Sequence, residues 1–121
     1  MHRSLTAARW ASVLAVGAAV FALAGAALAA PAHKTATVTV TATEFKFKLS
    51  KTSVPHGSVT FTLVNKGKLG HDFKIGGKKT ALVGPGKTAK LTVTLKAGKA
   101  AYLCTVPGHA AAGMKGTLTV K

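Results

Sequence analysis

Three side chains that bind soft metals fall within eleven residues near the C-terminus. They are Cys104, His109 and Met114, spaced Cys-x4-His-x4-Met in Tyr102-Leu103-Cys104-Thr105-Val106-Pro107-Gly108-His109-Ala110-Ala111-Ala112-Gly113-Met114. A Pro and two Gly in that stretch let the chain fold back so that a thiolate, an imidazole and a thioether can converge. A fourth donor must come from elsewhere, and Gly70-His71-Asp72-Phe73 offers His71. Two imidazoles, one thiolate and a weak axial Met are the donor set of blue-copper electron-transfer sites. Thiolate and thioether suit Cu(I), and imidazole also suits Cu(II). A trigonal arrangement lies between the geometries that the two oxidation states prefer, so little has to move when an electron arrives or leaves.

Taken singly, these residues carry little information. A lone Cys on a strand is more often a small buried apolar residue. A Cys104–His109 nucleophile pair would need an orienting group and an oxyanion hole, and it leaves His71 and Met114 without a role. A structural zinc site ordinarily uses several Cys and His and no Met. Met114 is the only Met besides Met1, which disfavours a Met-rich storage site. His33, in a short lead-in, and His56, in the turn Pro55-His56-Gly57, read as surface residues.

Rigid elements must bring the donors together, and the alternation of the chain supplies them. Val38, Val40 and Ala42 alternate with Thr37, Thr39 and Thr41, and Phe45, Phe47 and Leu49 with Lys46 and Lys48. Val59, Phe61 and Leu63 alternate with Thr60 and Thr62, and Leu91, Val93 and Leu95 with Lys90, Thr92 and Thr94. Leu118 and Val120 alternate with Thr117 and Thr119 near the end. Period-two patterning with one apolar face predicts strands of half-buried sheets. Pro55-His56-Gly57, Asn65-Lys66-Gly67, Gly76-Gly77, Gly84-Pro85-Gly86 and Ala97-Gly98 mark turns between them. About seven short strands without a helical stripe predict an all-β, Greek-key antiparallel sandwich. In it, Cys104 ends one strand, Met114 precedes the next, and His71 heads another.

The first 29 residues have a different composition. Arg3 and Arg9 precede an Ala-, Val- and Leu-rich run from Trp10 to Ala29, ending in Ala27-Leu28-Ala29. A basic start, an apolar middle and an A-x-A end predict a signal peptide over 1–29. The apolar run exceeds the roughly 7–15 residues usual for such a segment, so an uncleaved anchor over 10–29 is the alternative. Either way the expected location is periplasmic or extracellular. Residues 30–36 read as a lead-in and 37–121 as the folded domain. The remainder after the leader holds fifteen Lys against Glu44 and Asp72, a net +13 with His neutral. Spread along strands in an exported protein, these Lys predict a solvated basic surface rather than a nucleic-acid interface. They would attract acidic partner proteins, or an anionic membrane or wall surface, in a salt-dependent way. The single Cys excludes an intrachain disulfide, and a lone thiol in an oxidising compartment is expected to be buried or bound.

From about Glu44 to Val120 the sequence resembles the cupredoxins, the small blue copper proteins that include plastocyanin, azurin, auracyanin and halocyanin. The resemblance rests on Asn65-Lys66-Gly67-x-x-Gly70-His71-Asp72 and on Cys104-Thr105-Val106-Pro107-Gly108-His109-x4-Met114. It implies one copper ion held by His71, Cys104, His109 and Met114, with the Gly70 carbonyl as a distant further contact. The Cys-to-His-to-Met spacing is closer to auracyanin-type members than to plastocyanins or azurins. Many members carry Asn after the first His. Asp72 stands there in this chain, where it could accept backbone N–H bonds and would favour Cu(II). The resemblance also implies an apolar patch around His109, through which redox partner proteins approach. The expected function is single-electron transfer by a monomer with no enzymatic activity. There is no His-x-His pair and no second domain of the kind that multicopper enzymes use. The alternatives are a module that delivers copper to an exported oxidase, and a cell-surface interaction module with a vestigial site.

Overall fold

The computed structural model describes residues 35–121, which form nine strands and no helix. The strands are β1 (Ala36–Thr43), β2 (Lys46–Leu49), β3 (Ser53–Val54), β4 (Gly57–Asn65), β5 (Lys74–Ile75), β6 (Lys78–Lys79), β7 (Thr88–Leu95), β8 (Gly98–Leu103) and β9 (Lys115–Val120). The leader expected over 1–29 and residues 30–34 of the lead-in lie outside the described residues. Each alternating run of the sequence becomes a strand with one inward face, except that Phe45 stays in the turn before β2, whose Phe47 and Leu49 are half-buried. Val38, Val40 and Ala42 of β1 and Val59, Phe61 and Leu63 of β4 are fully buried, as is Leu118 of β9. Burying each large apolar side chain is worth about 1.5–3 kcal/mol, so the phase of every long strand is set by which residues it must hide.

The strands make two sheets in the orders β2-β1-β4-β7 and β3-β9-β8-β5-β6. The expected Greek-key sandwich is the fold, but its sheets are mixed rather than wholly antiparallel. β1 runs parallel to β4 and β3 parallel to β9. After the β1–β2 hairpin the chain crosses to the other sheet as β3, then returns as β4 on the free side of β1. A strand that returns after such a crossing comes back in the direction of the first. The periodicity of a strand is blind to this, because parallel and antiparallel neighbours both need one apolar face.

The register brings strand ends of both sheets to one pole. The β1–β2 turn, the end of β4, the starts of β5, β7 and β9, and the end of β8 all lie there. Between β4 and β5, between β6 and β7, and between β8 and β9, the chain makes long loops at this pole, and the first and last carry the expected donors. Phe73 anchors the first loop. It is fully buried, with its ring centroid 5.2 Å from Phe61, 5.4 Å from Phe47 and 5.4 Å from Tyr102.

Candidate metal centre

His71 sits two residues before the Phe73 anchor. It does not open a regular strand as expected. It makes a single bridge with Val83, its N–H donating to the Val83 carbonyl at 3.0 Å and its carbonyl accepting from the Val83 N–H at 2.9 Å. That double contact fixes the backbone of His71 independently of the preceding loop.

The Cys104–Met114 loop closes on itself. Cys104 donates its N–H to the Met114 carbonyl at 3.0 Å, so these two residues face each other across the neck. Inside the neck, His109 donates to Val106 at 3.0 Å and Met114 donates to the His109 carbonyl at 3.1 Å. Gly108 and Gly113 take φ values of 83° and 129°, which a side chain would resist. Cys104, His109 and Met114 are all buried.

The two loops meet through their side chains. Nδ1 of His71 lies 3.1 Å from Nδ1 of His109, and Sγ of Cys104 lies 3.6 Å from Nδ1 of His109. One donor atom each of His71, Cys104 and His109 lies within 4.8 Å of the other two, and this is the one such cluster among the described residues. Two imidazole nitrogens and a sulfur aimed at one buried point fit a soft or borderline metal ion. Met114 is fully buried at the neck beside Cys104. His56 is not part of this group; its Nδ1 faces the carbonyl of Lys121 at 2.8 Å, among the strand ends opposite the site.

Burial shapes the protonation of the donors. It pushes His71 below its ordinary value, and the neighbouring His109 adds to that, so the imidazole is neutral and able to ligate. Burial also pushes the Cys104 thiol up. An activated nucleophilic thiol is shifted the other way, whereas a bound metal ion displaces the proton outright.

Three further residues hold the site together. Asp72 accepts the Thr105 N–H at 2.6 Å on Oδ1 and the Thr105 hydroxyl on Oδ2, tying the His71 segment to the residue after Cys104. Asn65 is fully buried at the end of β4. It donates to the carbonyls of Leu69 at 2.7 Å and Val83 at 2.9 Å, and accepts the Gly67 N–H at 2.8 Å. Glu44, in the β1–β2 turn, accepts the N–H groups of Lys68 and Leu69 on Oε1. Those amides, Leu69 first, hold its carboxyl below the ordinary carboxylate range. The roles of Asn65 and Glu44 were not foreseen from the sequence, yet both left a signal. Asn65 continues the buried phase of Val59, Phe61 and Leu63, where a polar residue needs a reason. Glu44 is one of two acids among fifteen Lys.

Around the donors the surface is apolar. Phe45 is 45 % exposed, Leu69 46 % and Leu82 65 %. Phe45 stands edge-on to His109 with ring centroids 5.5 Å apart. Exposed Ala111 and Ala112 continue this surface on the His109 loop.

A two-sheet sandwich with a buried thiol and two imidazoles converging at one pole defines a small cupredoxin-type metal protein. Known proteins agree. The model of a family described as copper binding proteins, plastocyanin/azurin family, matches residues 23–121. The chain therefore belongs to this family, and its cofactor is copper. Among solved structures, the dithionite-reduced auracyanin of the photosynthetic bacterium Roseiflexus castenholzii superposes with a TM-score of 0.62 at 26 % identity, covering 72 % of this chain and 98 % of that one. Auracyanin B superposes with a TM-score of 0.60 at 28 % identity, covering 70 % and 88 %. The copper-resistant cuproprotein CopI of Pseudomonas aeruginosa is 51 % identical over 43 residues, which are 35 % of this chain and 24 % of that protein. The chain thus matches about a quarter of the length of this curated relative.

Proposed function

We propose that the protein is an exported single-electron carrier whose copper is held by His71, Cys104, His109 and Met114. The observation that carries this reading is the convergence of two imidazole nitrogens and one sulfur within 4.8 Å at a buried point, on loops held by the chain's own hydrogen bonds. The bound ion would supply Cu(I)/Cu(II) one-electron chemistry. The chain's part is to keep the donors in place through both oxidation states. The His71–Val83 bridge, the Asp72–Thr105 contacts and the neck of the Cys104 loop all act on the ligand backbone. The apolar rim of Phe45, Leu69, Leu82 and Ala111 lets a redox partner come close to the edge of His109, while surrounding Lys side chains steer acidic partners. Met114 closes the site, which suits electrons better than substrates. Export is supported by the composition of residues 1–29.

The test is the visible absorption of the protein after Cu(II) addition, beside Cys104→Ser. An intense blue band that the variant lacks is the expected result. A folded protein without the band would return Cys104 to being an ordinary core residue.

The likeness to a copper-resistant cuproprotein favours a second reading, in which the same site holds or hands on copper itself. Exchange kinetics separate the two. An electron carrier retains its copper through many redox cycles in the presence of a competing Cu(I) chelator, and a delivery protein yields it.

A further inference from the structure

The far side of His71 poses a separate question. Its Nδ1 faces the other donors, and its Nε2 is buried without a hydrogen-bond partner among the described residues. A buried ring N–H left unpaired is costly, and a metal-binding imidazole ordinarily donates its second N–H to a carboxylate, carbonyl or water. The nearest acid is Glu44, whose Oε1 lies 3.7 Å from Nε2. This carboxylate is not loosely placed. The N–H groups of Lys68 and Leu69 hold it, and a Cβ at Gly67 would collide with it. It stands on a two-residue turn, since Thr43 pairs with Lys46 across it. The other turn residue, Phe45, has a φ of 61°. A bulky residue in that region is strained, and Gly or Asn would relieve the strain. The strained turn puts Glu44 over His71 and the Phe45 ring against His109.

We propose that Glu44 is a positioning residue for the copper site, taking the Nε2–H of His71 as a third donor to its carboxylate. It thereby keeps the His71 Nδ1 lone pair directed at the metal. The inference rests on His71 being a ligand, but its first consequence concerns the metal-free imidazole. Oε1 already accepts both amides, so the third donor falls to Oε2, which has lone-pair sites of its own. An anion behind the imidazole also makes the ring a stronger donor and favours the more highly charged Cu(II).

The test compares Glu44→Gln and Glu44→Ala with the unsubstituted full chain. Gln keeps an oxygen for the Lys68 and Leu69 amides and removes the charge. In metal-free protein, nitrogen NMR of the His71 ring should show protonated Nε2 and bare Nδ1. In Glu44→Gln the Nε2 proton should exchange with solvent about tenfold faster, because a charge-assisted bond has become a neutral one, while the Lys68 and Leu69 amides stay protected. Glu44→Ala should lose the tautomer preference and also speed those two amides by at least about tenfold. With copper bound, Glu44→Gln should raise the reduction potential. His71 ring signals unchanged in both variants, with only amide exchange affected, would overturn the proposal and leave Glu44 a brace for the loop. If the unsubstituted protein forms no copper–thiolate band, the copper reading fails, and the metal-free ring signals still decide the role of Glu44.

Discussion

The two loops that meet at the metal centre are held by opposite means. The Cys104–Met114 loop carries its own backbone hydrogen bonds, from the Cys104–Met114 neck through the turns at His109, Ala112 and Gly113. The segment from Lys66 to Gly70 is held chiefly by side chains from outside it. Asn65 reaches its Gly67 and Leu69, and Glu44 reaches its Lys68 and Leu69. One loop is thus specified largely by its own residues. The other takes its shape from an amide in the core and from a carboxylate 24 residues earlier in the chain. The first should tolerate changes elsewhere in the molecule, and the second should not.

The sharpest way to break this contrast is Asn65→Ala. It removes three hydrogen bonds and strands the Leu69 carbonyl, while that of Val83 keeps the His71 N–H, so a loss of about 3 kcal/mol in denaturant unfolding is expected, at about 1 kcal/mol per bond. A loss confined to a few tenths would mean that the His71 loop holds itself. Next is Asp72→Ala, which cuts the tie between the two loops. We expect a loss of about 2 kcal/mol for the paired carboxylate. Asp72→Asn should keep much of the stability and raise the copper reduction potential, as measured by redox titration.

Gly113→Ala probes the self-held loop at its tightest point. At φ 129° a Cβ would meet the Phe45 carbonyl at 2.9 Å, so strain and contact together should cost about 2 kcal/mol. Gly108→Ala, at φ 83° with open space for the Cβ, should cost only about 1 kcal/mol. Equal effects in thermal unfolding would show that backbone strain, not the approach of the β1–β2 turn, sets the cost. The smallest structural effect belongs to Ala111→Lys on the exposed rim. Stability should change by less than about 0.5 kcal/mol and the copper band should persist, while electron transfer to a partner slows. Unchanged transfer rates would remove this face as the docking surface.

Much of the site was legible because its chemistry is local. Cys104, His109 and Met114 announce themselves by type and spacing within one window. His71 follows from the need for another imidazole, and the structure brings it to 3.1 Å from His109. Less was legible of what holds these residues. Asn65 looked like a turn residue, although it also occupies a core position of β4. Phe45 looked like the first apolar residue of a strand, whereas it is a strained turn residue against His109. Leu69 and Leu82 gave no pattern at all, because surface position within a loop has no period.

The sequence by itself determined the longer alternating strands and their apolar faces, the places where the chain must turn and the donor types that copper accepts. These follow from side-chain chemistry and from a period of two, which act over a few residues. The two-residue β3, β5 and β6 have no pattern to read. Tertiary structure alone decided that β4 lies parallel to β1 and β3 to β9. It also set Asp72 against Thr105, 33 positions away, and Glu44 beside His71. Such pairings depend on which strands become neighbours when the core closes. A strand's own pattern says which face is buried, but not which partner will cover it.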